Sequence, residues 1–245
     1  MRQGIFKITS NEKIARDIFK MTLSGDTSAI TAPGQFVNIK LDGLFLRRPI
    51  SVCDCVGDNL TLIYKAVGRG TEQMSRMLPG ETLDLLTGLG NGFSTKNDAR
   101  RPLLVGGGVG VPPLYNLAKK LLAEGKPVQV VLGFNTASEV FYEEEFRALG
   151  CEVAVSTVDG SRGVRGFGTS AIAERGLDFD YFYACGPLPM LHALYNAVEQ
   201  DGQLSFEERM GCGFGACMGC SCKTKYGYKR ICKEGPVLTK DEIIW

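Results

Sequence analysis

The residues with the clearest capacity for chemistry are Cys212, Cys217, Cys220 and Cys232, which are spaced C-x4-C-x2-C-x11-C. A loop can aim three closely spaced thiolates inward, and a fourth thiolate from a later turn completes the ligand set of an iron–sulfur cluster. Glycines between the cysteines permit positive φ angles and bring N–H groups close to the sulfides. The spacing therefore predicts an electron-transfer site. The intervening glycines are Gly211, Gly213, Gly215 and Gly219.

Two other uses of cysteine fit less well. A structural zinc site usually has two C-x2-C pairs, and only Cys217 with Cys220 forms one, because Cys220 and Cys222 are too close to form another. A disulfide framework requires a secreted chain, but the first residues contain no apolar run typical of a signal peptide, and nine cysteines is an odd number. We therefore expect a reducing, cytoplasmic environment. Replacing Cys220 by Cys222 as ligand would lengthen the second gap, so we place Cys222 outside the ligand set.

Composition excludes several classes of function. The chain has 245 residues, of which 44% are hydrophobic and 22% charged, as in ordinary globular proteins. Its 28 basic and 27 acidic side chains give a net charge of +1 without a basic block, so neither nucleic acid nor a membrane surface is an expected partner. No apolar run reaches membrane-spanning length. The single histidine, His192, argues against His-based catalysis and is expected on a helix face.

The patterning predicts three segments that position these residues. Residues 1–95 alternate apolar and polar side chains in short runs, at 35–41, 50–53 and 60–67, which is typical of a β-barrel or sandwich. Residues 96–204 alternate buried strands with helices near 139–149, 168–175 and 188–200, which is typical of a parallel α/β sheet. Residues 205–245 form the cluster-binding loop.

A glycine-rich turn at 106–113 lies between an apolar strand and an amphipathic helix. The backbone N–H groups and the helix dipole at such a turn favour a phosphate. Pro113 replaces the third glycine of the G-x-G-x-x-G fingerprint, so a ligand-free turn is the alternative. Residues 133–139, after the next strand, contain no Arg or Lys for a ribose 2′-phosphate, and Glu139 would repel one. The sequence thus favours NAD over NADP.

Two further parts of the chain could contact a dinucleotide, one in the α/β segment and one in the first segment. Cys185 ends an apolar strand at the carboxyl edge of the sheet, where α/β folds bind ligands, although a buried structural cysteine is the alternative. In the first segment, Arg48 and Ser51 are expected to place a cation and a hydroxyl at the end of a strand, and Gly70 and Thr71 to begin a short helix. Both features suit a pyrophosphate. An exposed charge or a simple turn is the alternative for each.

These motifs resemble, in order and spacing, the ferredoxin-reductase superfamily. They are Arg48-Pro-Ile-Ser51, Gly68-x-Gly-Thr71, the glycine-rich turn, Asp159-Gly-Ser and Cys185-Gly-Pro. The C-terminal run from Glu208-Arg-Met-Gly-Cys212 to Cys232-Lys-Glu-Gly-Pro is similar, more narrowly, to electron-transfer subunits of type B dihydroorotate dehydrogenases. The resemblance implies a β-barrel flavin domain, an α/β parallel-sheet nucleotide domain and a C-terminal [2Fe–2S] loop subdomain.

The resemblance also implies site residues. Ser51 would lie near the reactive flavin nitrogen and Cys185 beside the nicotinamide, as the catalytic residues. FAD would be bound by Arg48, Pro49, Ile50, Ser51, Ile63, Tyr64, Lys65, Gly70 and Thr71. NAD, an exchangeable substrate, would be bound by Gly108, Gly110, Asp159, Cys185, Gly186 and Pro187. One [2Fe–2S] cluster would be bound by Cys212, Cys217, Cys220 and Cys232.

In function, the resemblance implies that electrons from dihydroorotate oxidation on an FMN-containing catalytic subunit pass through the cluster and FAD to NAD+, in pyrimidine (UMP) biosynthesis. The family implies a two-plus-two heterotetramer. Because the cluster must lie near the surface that faces the partner, Phe214 and Met218 are candidate interface residues, with loop packing around the metal as the alternative. One alternative is the flavin subunit of another oxidoreductase, such as ferredoxin:NADP oxidoreductase or sulfide dehydrogenase. An alternative from another class is a zinc-binding assembly subunit.

Overall fold

The computed structural model describes residues 1–245. The first part of the chain folds into a closed antiparallel barrel with the strand order β1-β2-β5-β4-β3-β6. Alternate side chains of these strands point inward and form a core that includes Phe6, Met21 and Leu60. The short helix α1 covers this core with the buried side chain of Met74. The bounds are β1 Arg2–Ala15, β2 Ile18–Ser24, β3 Phe36–Lys40, β4 Arg48–Val56, β5 Asn59–Lys65, α1 Arg69–Ser75 and β6 Thr82–Leu89.

The second part is a seven-stranded sheet in the order β10-β9-β8-β7-β11-β12-β15. All neighbouring strands pair in parallel except β15, which is antiparallel to β12. Helices α2 and α3 pack on one face, and α4 and α5 on the other. The bounds are β7 Pro102–Gly107, α2 Pro112–Ala123, β8 Gln129–Phe134, α3 Glu143–Ala148, β9 Glu152–Thr157, β10 Val164–Arg165, α4 Gly168–Arg175, β11 Tyr181–Cys185, α5 Leu188–Ala197, β12 Gly202–Ser205 and β15 Val237–Thr239.

Successive residues of the central strands point to opposite faces of this sheet. Leu104 and Tyr183 face α2 and α3, whereas Leu103 and Phe182 face α4 and α5. Because both faces are covered, the strands are continuously apolar, as buried parallel strands are. No helix of the protein has the length and apolar character needed to cross a membrane.

Three elements differ from the sequence expectation. Helix α3 is shorter than 139–149, because residues 137–139 form a separate 3₁₀ turn and Tyr142 adopts a left-handed φ of 64°. Helix α5 ends at Ala197, because Val198 is extended. The last forty residues are more than a loop, since they contain a hairpin and an edge strand. The hairpin consists of β13 Ser221–Thr224 and β14 Gly227–Arg230, and the edge strand is β15.

The barrel and the sheet domain share a core. Ile18, Cys53 and Ile63 from the barrel belong to the same buried cluster as Leu114 and Leu117 of α2. The interface therefore fixes the ends of β4 and β5 relative to the glycine-rich turn.

Candidate functional site

A cavity of about 670 Å³ lies between the barrel and the sheet domain. Ligand cavities in proteins commonly have this size and occur between domains. The barrel contributes side chains from β4 and β5, and the sheet domain contributes the glycine-rich turn and the end of β11. The cavity brings together eight predicted site residues, namely Pro49, Ser51, Lys65, Gly108, Gly110, Cys185, Gly186 and Pro187.

Three predicted residues have side chains that point elsewhere. Tyr64 is buried inside the barrel, where its hydroxyl donates to Asn11 Oδ1 at 3.0 Å. Ile63 is buried in the core between the domains, so these two residues can offer a ligand only backbone atoms. Asp159 lies on an exposed turn after β9 and accepts hydrogen bonds from Ser161 N at 3.0 Å and Oγ at 2.6 Å. It does not line the cavity.

The remaining residues that were predicted to bind FAD do not line the cavity. Arg48 begins β4, its side chain lies against Gly70, and its guanidinium donates to the Leu46 carbonyl. Thr71 Oγ1 accepts a hydrogen bond from Val67 N at 3.0 Å, so this hydroxyl stabilises the turn into α1. Ile50 packs against the barrel core. The structure thus places Arg48 and Gly70 together, one step outward from the cavity along β4.

The glycine-rich turn connects β7 to α2 through a 3₁₀ turn over Gly108–Gly110. A Cβ at Gly110 would collide with the Cys185 carbonyl, so only glycine permits this turn to approach the end of β11. Pro112 occupies the first turn of α2, where a missing N–H costs nothing. This turn therefore lies at the point where the strand order reverses, between β7 and β11, which is where α/β sheets bind ligands.

A second cavity of about 450 Å³ opens at the carboxyl edge of the sheet. Gly133, Phe167 and Met190 belong to its lining. Because the two cavities share lining residues, a dinucleotide can extend from the domain junction along the sheet edge. The shared residues are Gly107, Gly108, Phe134, Asn135, Glu139 and Pro187.

An ion pair crosses the junction of the two cavities. Lys65 Nζ of the barrel lies 3.4 Å from Glu139 Oε1 of the sheet domain. Asn135 donates to the other carboxylate oxygen from Nδ2 at 2.9 Å. Burial opposes ionisation of Glu139, but the hydrogen bonds from Asn135 and the charge of Lys65 lower its pKa below the ordinary value. The charged carboxylate therefore holds the lysine between the domains.

The sequence reasoning missed one wall of the larger cavity. Phe206, Glu207, Glu208, Arg209 and Met210 line it, immediately after β12. The rule that singled out Cys185, the carboxyl end of a parallel strand, applies equally to this segment. Strand β12 has only four residues, too few for the sequence pattern to indicate a strand, so the sequence did not predict a ligand site at its end. Other lining residues that were missed are Ile18, Phe36, Val109, Asn135, Phe141, Ser205 and Pro236.

The four predicted cluster ligands meet as two pairs. Cys217 N lies 3.4 Å from Cys212 Sγ, and Cys212 N lies 3.5 Å from Cys217 Sγ. Cys232 N lies 3.4 Å from Cys220 Sγ. No three His, Cys, Asp or Glu side chains converge as a single-ion site requires. Two pairs of thiols suit a cluster of two irons, each of which takes two cysteines.

The loop presents N–H groups to these sulfurs, as a cluster requires. Ala216 N lies 3.2 Å from Cys212 Sγ, and Gly213 and Gly215 have the expected positive φ angles of 76° and 92°. Burial raises the pKa of Cys212, but N–H groups of the loop outweigh it and lower the pKa to about 6. Burial and the neighbouring Cys220 raise the pKa of Cys232 to about 12.

The cluster loop adjoins the larger cavity. Asn38 Nδ2 of β3 donates to the Cys212 carbonyl at 3.2 Å, and Phe36, two residues earlier on this strand, lines the cavity. Met210 also lines the cavity, two residues before Cys212. The cluster site and the cavity therefore share a wall.

Comparisons with known proteins identify the family. The family model for the iron–sulfur cluster binding domain of dihydroorotate dehydrogenase B matches residues 207–244, and the oxidoreductase NAD-binding domain matches residues 104–195. The electron transfer subunit of dihydroorotate dehydrogenase B (NAD(+)) from Geobacillus sp. (strain WCH70) is 46% identical, over 100% of this chain and 99% of that protein. The corresponding subunit from Lysinibacillus sphaericus (strain C3-41) is 47% identical, over 99% of both chains. The chain belongs to this family.

Two solved structures of other oxidoreductases share the fold of this chain. A chain of an NADH-dependent reduced ferredoxin-NADP oxidoreductase, studied for flavin-based electron bifurcation, has a TM-score of 0.89 and 30% identity, covering 99% of this chain and 90% of that chain. A ferredoxin NADP+ reductase from Neisseria gonorrhoeae with bound FAD and NADP shares the fold, with a TM-score of 0.71 and 16% identity, covering 80% of this chain and 90% of that chain.

The predicted architecture is confirmed. The barrel, the NAD-binding domain and the C-terminal iron–sulfur domain are all present. These matches also support the predicted FAD, [2Fe–2S] cluster and NAD, and the prediction of a redox enzyme component.

Proposed function

We propose that this chain carries electrons from dihydroorotate oxidation on a separate FMN-containing catalytic subunit to NAD+, within pyrimidine biosynthesis. The observation that carries this proposal is the shared wall between the cluster loop and the cavity at the domain junction. Electron transfer requires neighbouring redox sites, and strand β3 adjoins both, since Phe36 lines the cavity and Asn38, two residues later, donates to the Cys212 carbonyl.

When bound, a flavin exchanges electron pairs with a nicotinamide and single electrons with an iron–sulfur cluster. The residues of this chain would position the flavin and the nicotinamide relative to each other. Pro49 and Ser51 line the barrel side of the cavity, where the Ser51 hydroxyl can donate a hydrogen bond to a flavin nitrogen. Cys185 and Gly108 line the opposite side, where a nicotinamide would enter from the sheet edge. Residues 133–139 contain no Arg or Lys for a ribose 2′-phosphate, which supports NAD as the acceptor, whereas the Glu139 carboxylate is paired with Lys65 and does not act as a free charge.

The exposed face of the cluster loop is the proposed docking site of the catalytic subunit. Cys217 is exposed, whereas Cys220 and Cys232 are buried, so one edge of the cluster site faces outward. Phe214 and Met218 beside it are 43% and 55% exposed. Aromatic residues and methionine are enriched at protein interfaces. We propose a two-plus-two complex in which this face meets the partner.

Co-expression with the FMN-containing catalytic subunit tests the proposal. We expect copurification, bound FAD and iron, and NAD+ reduction that depends on dihydroorotate. Met218→Glu should weaken the complex, because it places a charge in an apolar contact, whereas Val56→Glu on the exposed barrel surface should leave it intact. A colourless, zinc-containing protein without flavin would support an assembly subunit instead.

A second candidate is the flavin subunit of a ferredoxin:NADP oxidoreductase, because the structural match at 30% identity covers 99% of this chain. Reduced ferredoxin and NADP+ should then replace dihydroorotate and NAD+. Efficient turnover with that pair in the absence of a catalytic subunit would favour the second candidate.

A further inference from the structure

Phe45 is the most exposed large apolar side chain of the protein, with a relative exposure of 101%. It lies in the connection between β3 and β4, in the segment 41–47. Single exposed apolar residues are common on protein surfaces, so exposure alone assigns no role. The position of Phe45 relative to the flavin residues gives it one.

The residues around β4 form a line that leads outward from the cavity. Ser51 and Pro49 line the cavity, and Arg48 is the next residue outward. Ser51 and Arg48 are three residues apart, which in a strand is about 10 Å. The Arg48 guanidinium donates to the carbonyl of Leu46, which is the residue next to Phe45. The order along this line is therefore cavity, cation and exposed aromatic ring.

FAD has the same order of chemical groups. Its flavin ring is joined through a ribityl chain and a pyrophosphate to adenosine. With the ring between Ser51 and Cys185 and the pyrophosphate at Arg48, the adenine must lie beyond Arg48, on the side of Phe45. Adenine presents a flat apolar face, and an aromatic side chain is the surface that stacks on it best. We propose that Phe45 is the platform on which the adenine of FAD stacks.

Comparison of two flavins tests this role, because FMN lacks the adenosine half of FAD. Flavin-free, full-length protein is titrated with FAD and with FMN, and binding is followed by quenching of flavin fluorescence. Phe45→Ala should weaken FAD about tenfold to a hundredfold, the usual effect of removing a stacking ring, and leave FMN affinity unchanged. Phe45→Trp should retain tight FAD binding. Val56→Ala, at the other end of β4 and also exposed, is the matched control.

Three results would overturn the proposal. Phe45→Ala could bind FAD as tightly as the parent, or it could lose FAD and FMN affinity equally, which would indicate a structural defect. It could also keep FAD and instead fail to assemble with the catalytic subunit, which would make Phe45 a docking residue. The proposal rests on FAD binding by this chain. If the unmodified protein binds no FAD, the proposed function fails, and this outcome is distinct from equal FAD affinity of parent and variant.

Discussion

The thiol of Cys185 lies at the carboxyl end of β11, facing the barrel across the larger cavity. Burial raises its pKa to about 12, and the nearby Ser205 hydroxyl offsets only part of this effect. A thiol is protonated below its pKa, so Cys185 stays neutral at physiological pH. A neutral group beside a nicotinamide can define its position without contributing a charge or a nucleophile.

Replacement of Cys185 by serine tests this positional role. We expect NADH to reduce the bound flavin about tenfold more slowly, equivalent to about 1.4 kcal/mol of barrier, because the smaller hydroxyl fills the contact less well. Since burial raises the pKa of this thiol to about 12, Cys185 should contribute no titration between about pH 6 and pH 10. Stopped-flow measurement of flavin reduction by NADH across this pH range gives both the rate and its pH dependence. A titration in the parent that disappears in Cys185→Ser would contradict the assignment.

Cys217 and Cys222 form a natural pair for testing the cluster ligands. Cys217→Ser should remove the visible absorption of the cluster and the NAD+ reduction driven by the catalytic subunit. Oxidation of NADH by artificial dyes should persist, because hydride transfer to the flavin does not require the cluster. Cys222 lies on β13 and packs against the core, so Cys222→Ser should retain both activities. Iron analysis and absorption spectra of the two variants would show which cysteine is a cluster ligand. Loss of the cluster in Cys222→Ser alone would mean that Cys222, and not Cys217, is the ligand.

At the scale of elements, the hairpin β13–β14 supports the cluster loop. Arg230 at the end of β14 donates from Nη1 to the Gly215 carbonyl at 2.6 Å. Its Nε donates to Glu234 Oε2 at 2.9 Å. The same arginine therefore fixes the loop that carries Cys212 and Cys217 to the turn that carries Cys232.

Loss of the Arg230 hydrogen bonds should weaken binding of the cluster and leave the flavin site unchanged. Arg230→Ala should lower the local stability of the cluster loop, since it removes charge-assisted hydrogen bonds that join this loop to the turn carrying Cys232. We expect lower iron content and faster loss of cluster absorption in the presence of a chelator, with normal FAD content. Lys225→Ala, an exposed change on the same hairpin, is the control. Equal rates of cluster loss in both variants would argue against a stabilising role of the Arg230 hydrogen bonds.

At the scale of the whole molecule, the barrel and the sheet domain must keep a fixed orientation, because each forms only part of the cavity. Besides the shared apolar core, Lys119 Nζ of α2 lies 2.8 Å from both carboxylate oxygens of Asp54 on β4. Both side chains are largely buried, so solvent screens this pair less than an exposed one.

Lys119→Met should therefore weaken the coupling between the domains. We expect a loss of about 1 kcal/mol or more in the free energy of unfolding, because the Asp54 carboxylate loses its partner. The rate of flavin reduction by NADH should fall as well, whereas Lys120→Met, one position along the helix and exposed, should change neither. Thermal unfolding and a double-mutant cycle with Asp54→Asn measure the coupling. Additive effects of the two changes would show that the pair does not join the domains.

Local patterns predicted the barrel strands β3, β4 and β5, the parallel strands β7, β8, β9 and β11, and the glycine-rich turn, because alternation and apolar runs are properties of neighbouring residues. The barrel strands β1, β2 and β6 were not located individually. Strands β12 and β15 escaped prediction. They have four and three residues, and only their pairing with distant strands stabilises them.

The candidate site was predictable to a similar extent. Cys185, which ends β11, lines the cavity. Ser51 also lines it, although this residue lies within β4 rather than at the end of a strand, as the sequence had suggested. Residues 206–210 were missed because β12 was missed. Tyr64 was named from the family motif, and the sequence alone does not reveal that its ring lies inside the barrel, since that depends on the register of β5.

The pairing of Ser205 with Val237 has a practical consequence for protein engineering. The chain leaves the sheet at the end of β12, carries all four cluster cysteines, and returns on the adjacent antiparallel strand β15. The cluster segment is thus an insertion into a hairpin, and a two-residue turn is the usual link between such strands. The segment could therefore be excised, or grafted onto another reductase that has an open hairpin at this edge. Excision would also remove the cavity wall formed by residues 206–210.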